Sequence, residues 1–114
     1  MKLLVVVLNV LEHQEDLFEA LLELDVRGVT VVESEGVMQY LAQEVPIFAG
    51  LRQMLAPGSG GHSKIVFGVS DSDKVLQDLH SMLKEVGVDL EKAGTGYALT
   101  VDVKEILEGP PEED

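Results

Sequence analysis

The sequence predicts an α+β domain in the order β-α-β-β-α-β, and three observations carry that prediction. Residues 3–8 and 65–69 show none of the apolar/polar alternation of a sheet with one wet side, so two strands are apolar on both faces. Residues 29–35 and 97–103 alternate apolar and polar side chains, the period of a half-buried strand. Only two stretches, around 17–24 and 75–86, place leucines and valines at helical spacing over a length that covers a sheet.

Each element has its own signals. After the first strand, Asn9 and Glu12 fit an N-cap and its reciprocal partner at the third helical position. Leu17, Leu21 and Leu24, flanked by Phe18 and Leu22, make one helical face, and Gly28 marks the stop. The second strand sets Val29 and Val31 against Thr30 and Ser34, and Gly36 ends it. Residues 37–63 then form a connection long enough to point to function or disorder. Within it, Pro46 opens a short amphipathic helix over 46–55, with Phe48, Leu51 and Leu55 on one face that would dock on the body or on a neighbouring copy. Residues 57–63 read as a flexible glycine-rich stretch. Ser70 and Asp73 repeat the capping pattern ahead of the second helix. Its buried stripe is Val75, Leu79, Met82 and Val86, and Gly87 caps its end. A loop over 88–96 holds Gly94-Thr95-Gly96. The last strand aligns Tyr97, Leu99, Val101 and Val103 on one face; a half-turn at 104–107 leads to an acidic tail, 108–114.

This order is the ferredoxin-like sandwich. Right-handed crossovers put both helices on the same side of the sheet and make strands one and three its centre. Those are the two fully apolar strands, so pattern and topology agree. The second face of the sheet is then bare in a monomer. Four strands at roughly 4.8 Å spacing and about 20 Å length expose on the order of 400 Å². At roughly 25 cal/mol per Å², leaving that area wet forfeits up to about 10 kcal/mol, comparable with a whole domain's stability. The chain is therefore expected to be an obligate oligomer with its function between subunits.

Composition narrows the functional classes. The chain has 114 residues, one domain's worth, with 21 Asp and Glu against 8 Lys and Arg. The basic residues are scattered, so no patch tracks a phosphate backbone and nucleic acid is not an expected partner. No run is long enough to span a membrane, and residues 3–8 are too short for a signal-peptide core. The absence of cysteine excludes disulfides and thiolate metal sites and fits a cytoplasmic protein. Six acids without a base between Glu12 and Asp25, and five more from Glu105 to Asp114, read as a solvated helix face and a frayed tail or as an acidic surface for a basic partner.

Candidate chemistry is sparse. The glycines at 58–61 do not form a phosphate loop, because Lys64 follows Ser63 and precedes a strand rather than a helix. Gly94-Thr95-Gly96 reads either as a backbone nest for an anion or as an ordinary tight turn needing positive φ. His13, His62 and His80 have the spacing of no single metal site and read as surface histidines, unless a symmetry axis gathers copies of one of them. No Ser-His-Asp order or nucleophilic cysteine is present, and the acids are too numerous to nominate a pair. The sequence offers no catalytic centre, so a binding module rather than an enzyme is expected.

Together these residues resemble the P-II signalling protein family and its divergent relatives. Gly28-Val29-Thr30-Val31-Val32-Glu33-Ser34-Glu35-Gly36 stands where the family carries a segment of the kind GLTVTEVKG. Glu91-Lys92-Ala93-Gly94-Thr95-Gly96-Tyr97-Ala98-Leu99-Thr100 is similar to the family's GKIGDGKIFV, and residues 37–63 fall where its T-loop lies. The resemblance spans residues 1–107. It implies a P-II-like homotrimer whose sheets face inward, with adenine nucleotides bound in clefts between subunits and a T-loop that moves onto a target protein, either a membrane transporter or an enzyme. By position, Thr30 and Gly36 would lie by the adenine, and Lys92, Gly94, Thr95 and Gly96 by the phosphates. Phe48, Leu51, Arg52 and Leu55 would face the partner. The family's lysine after the second glycine is Tyr97 here, and the arginines of its C-terminal loop have no counterparts in 108–112. With Lys92 and Arg52 as its bases, the cleft is expected to prefer a ligand of modest negative charge. Two other readings stay open: a trimer like the CutA copper-tolerance family, linked to divalent metals, and an enzyme with an inter-subunit site.

Overall fold

The computed structural model describes residues 1–47, 49–50 and 62–110. Strand β1 (Lys2–Leu8) leads through a single 3-10 turn (Leu11–His13) into helix α1 (Gln14–Glu23). Strand β2 (Arg27–Glu35), helix α2 (Val37–Glu44), strand β3 (His62–Ser70), helix α3 (Val75–Glu85) and strand β4 (Gly96–Asp102) follow. The four strands form one antiparallel sheet in the order β2-β3-β1-β4, compatible with the ferredoxin-like plan, with the two doubly apolar strands at its centre.

The register assigns every central side chain to a face. Val6 pairs with Val66 on one side and Ala98 on the other; Val5 pairs with Phe67 and Leu99. Leu4, Val6, Leu8 and Val66 are buried under Leu17 and Leu21 of α1 and Val75, Leu79 and Leu83 of α3 in one core cluster. Alternation sends Leu3, Val5, Val7, Ile65, Phe67 and Val69 to the opposite face, away from α1 and α3. On that open face Tyr97, Leu99 and Val101 of β4 are 56%, 39% and 50% exposed, and Val32 of β2 is 45% exposed. The bare face expected from the sequence is present in the single chain.

The two core helices end in the same way. Behind α3, Gly87 takes φ +86°, its N–H donates to the Lys84 carbonyl at 3.1 Å, and the Val88 N–H donates to Leu83 at 2.9 Å. Behind α1, Asp25 takes φ +56°, with N–H bonds from Asp25 to Leu22 at 3.1 Å and from Val26 to Leu21 at 3.0 Å. Both are Schellman closures, and each buries the valine that follows. The stop after α1 is therefore Asp25 and not Gly28, which lies inside β2 where the pairing slips between Arg27 and Thr30.

Other boundaries move for local reasons. Asn9 does not cap a helix; its Oδ1 accepts the Ser63 hydroxyl at 2.6 Å, tying the end of β1 to the start of β3. Neither Ser70 nor Asp73 caps α3: Ser70 Oγ accepts the Ser72 N–H and Ser72 Oγ accepts the Lys74 N–H, so the chain enters through two serine turns. Leu83 rather than Val86 completes the buried stripe of α3, and Val86 is half-exposed. β2 starts two residues earlier than expected, at Arg27, which pairs with Val69, and β3 starts earlier too, since His62 and Ser63 pair with Glu35 and Ser34. Residues 104–107 form no half-turn. Beyond them Glu108 is held by Arg27 at 2.8 Å, and Arg27 also reaches Asp71 at 3.0 Å, so the chain is pinned to β2 at the head of the expected tail.

Candidate functional site

The residues expected to hold a ligand fall at opposite edges of the sheet. Thr30 and Gly36 belong to edge strand β2 and its exit, whereas Gly94, Thr95 and Gly96 lead into edge strand β4, with β3 and β1 between them. Within one chain they cannot line a common cleft. The Thr30 hydroxyl is engaged locally, donating to the Gly28 carbonyl at 3.0 Å.

The loop before β4 is tightly organised. The Lys92 N–H donates to the Asp89 carbonyl at 3.0 Å and the Thr95 N–H to the Lys92 carbonyl at 3.2 Å. The Thr95 carbonyl accepts the Asn9 N–H at 3.0 Å, and Thr95 is buried. Gly94 and Gly96 both take positive φ, at +86° and +136°. At Gly96 the requirement is also steric, because a Cβ there would overlap the Val7 carbonyl of β1. The turn reading of Gly94-Thr95-Gly96 therefore accounts for both glycines and commits the Thr95 N–H within the turn, while the Lys92 side chain stays in solvent.

A cleft of about 290 Å³ opens between α3 and β4, beside this loop. Leu76, Leu90 and Ala98 supply apolar walls, Tyr97 forms one lip, and His80 and Glu91 bring polar groups. His80 Nε2 lies 3.9 Å from Asp89 Oδ1 and 3.6 Å from Glu91 Oε1. The same Asp89 Oδ1 accepts the Glu91 N–H at 2.9 Å, which fixes the carboxylate relative to the loop backbone. His80 is not a plain surface histidine: its ring is three-quarters buried, and its Nδ1 is enclosed with no hydrogen-bond partner among the described residues. His13, by contrast, is occupied by Asp16 at 3.0 Å, and His62 is exposed on β3.

Sequence reasoning missed this grouping because His80 and its acids straddle a helix end. The Schellman turn at Gly87 folds the chain back so that residues 89 and 91 return beside residue 80. The available signal was that glycine, two turns past a histidine on the helix.

In the 37–63 connection, α2 is an element the sequence reading left out. Its Val37, Met38 and Tyr40 are 75%, 46% and 52% exposed. Of the expected partner-facing residues, Phe48, Leu51, Arg52 and Leu55 lie outside the described residues, as do 57–61. No helix among the described residues is long and apolar enough to cross a membrane. No protein-family model matches the chain, and no curated protein matches it.

Proposed function

We propose that this chain is a P-II-like homotrimeric regulatory module. It senses a small ligand, with an adenine nucleotide as the leading class, in clefts between subunits, and it acts on a target protein through residues 37–63. One observation carries the reading: an apolar sheet face left uncovered by both helices, on a sheet whose two ligand-type segments sit at opposite edges. Closed threefold packing of sheets covers all three open faces at once. It also brings the β2 edge of one copy towards the β4 edge of the next, which is the only way Thr30 and Gly36 can share a cleft with Gly94 and Gly96. The exposed apolar residues of α2 give the connection a surface suited to a partner.

Light scattering on the purified chain tests the assembly: a trimer at micromolar concentration is expected, and a stable monomer of 12.4 kDa would overturn the reading. A thermal-shift screen with ATP, ADP, AMP, cyclic AMP and 2-oxoglutarate then tests the ligand, since a compound that binds only the assembled form raises its melting temperature. With a charge of −13 per chain repelling anions, AMP-like ligands are expected to outperform ATP.

A further inference from the structure

We propose that His80, Asp89 and Glu91 form a binding site for a divalent transition-metal cation of the Zn²⁺ class on the wall of the cleft between α3 and β4. Three donor atoms, one imidazole nitrogen and two carboxylate oxygens, lie within 4.8 Å of one another. Ligand atoms that each stand about 2.0–2.1 Å from a tetrahedral zinc are about 3.3 Å apart. The two contacts from His80, 3.6 and 3.9 Å, are wider than a hydrogen bond and within a few tenths of an ångström of that spacing. Glu91, whose side chain is 82% exposed, is free to supply the closing movement, and Asp89 is already set by its bond from the Glu91 N–H.

The ring environment supports the same conclusion. Nδ1 is enclosed, so Nε2 is the nitrogen left to ligate, and it points at two carboxylates. One imidazole with two carboxylates suits Zn²⁺, Co²⁺ or Mn²⁺ better than Mg²⁺ or Ca²⁺, which favour all-oxygen shells. The acidic surface that fails to attract phosphate concentrates divalent cations instead. Three protein ligands leave at least one coordination position open, and His80 and Glu91 line the cleft. A bound cation would thus supply, beside the apolar pocket, positive charge that Lys92 alone provides in the neighbouring loop. This inference does not rest on the P-II-like reading.

The test is calorimetry and thermal shift on the full chain after chelator treatment, with Zn²⁺, Co²⁺, Mn²⁺, Mg²⁺ and Ca²⁺ added separately. Zn²⁺ and Co²⁺ are expected to bind at one per chain and raise the melting temperature, with Co²⁺ giving visible absorption; Mg²⁺ and Ca²⁺ should do neither at the same concentration. Losing a ligand should exceed the effect of losing an outer partner, so His80→Gln is expected to weaken Zn²⁺ by at least about 100-fold. The exposed Glu91→Gln, which leaves the core untouched, should weaken it by at least about 10-fold, and His13→Gln should change nothing. Zn²⁺ binding retained by Glu91→Gln and by folded His80→Gln would overturn the site, as would equal affinity for Mg²⁺, or the absence of any Zn²⁺ binding by the wild-type chain.

Discussion

The two faces of this sheet are built from the same kinds of residue and have opposite fates. On β1, Leu4, Val6 and Leu8 are at most 1% exposed beneath α1 and α3, while Leu3, Val5 and Val7 alternate to the side away from both helices. The difference lies in topology: both crossovers run over one side, so hydrophobicity alone does not decide which leucine is inside. A soluble single chain with one such face usually makes it polar. Here the open face is as apolar as the covered one, the kind of surface that the proposed assembly would bury.

The comparison can be broken most severely at adjacent residues. Val6→Asp puts a carboxylate among Leu4, Leu8, Val66 and Leu79, and should abolish folding at any protein concentration, read as loss of the circular dichroism signal. Val5→Asp, one residue away, faces out and should instead abolish assembly, leaving a poorly stable monomer whose melting temperature no longer rises with concentration. Wild-type assembly in Val5→Asp would mean that the open face is not the interface.

Truncation gives a gentler version. Leu79→Ala empties a fully buried position and should cost about 2–5 kcal/mol in denaturant unfolding. Leu99→Ala, 39% exposed in the single chain, should cost under about 1 kcal/mol in a monomer and markedly more in an assembly that buries it. The ratio of the two losses therefore reports how much of the open face is covered in solution.

Two smaller effects concern the borders of the covered face. Asp25→Gly replaces the one non-glycine residue at positive φ among the described residues and should stabilise the chain by up to about 1 kcal/mol, measured as a higher urea midpoint. At the other end Lys2 pairs with Asp102 across β1 and β4. The hydrogen bond and charge of Lys2 hold the Asp102 carboxyl below its ordinary range, and Asp102 holds the Lys2 ammonium above its own. The Asp102 contribution is present above the ordinary carboxylate range and is lost as pH falls through the lowered folded-state value. The Lys2 contribution is complete below the ordinary lysine value and is lost as pH rises through the raised one. Both groups are solvent-exposed, so Asp102→Asn should shift stability slightly at low salt and not measurably at high salt.

What was legible in the sequence follows from how local each cause is. The doubly apolar strands, the alternation of Tyr97, Leu99 and Val101, and the glycine behind α3 are signals carried within a few residues, and they gave the sheet order and the bare face. The expected cap at Asn9 failed because Asn9 finds its partner in Ser63, on a strand far along the chain, and a propensity cannot register that rival. Helix α2 was hidden because Gly36 before Val37 read as the stop of β2, although Pro46 beyond the helix end is a stop signal of the usual kind. The His80 grouping was illegible to spacing rules written for one helix or one strand, because its members meet only after the chain has reversed at Gly87.

The pairing of β1 also bears on how the molecule is made. β1 is the first of the four strands to be synthesised, and both its partners come late: Lys2 lies opposite Ser70 and Asp102. Until β3 emerges from the ribosome, residues 3–8 have neither a neighbouring strand nor the leucines of α3 above them. Until β4 follows, one edge of that strand stays unpaired. Such long-range closure makes folding slow and leaves a nascent chain with an apolar, strand-forming segment exposed until β3 emerges. The acids that crowd α1, emerging directly behind that segment, are placed to keep neighbouring nascent chains apart during this interval.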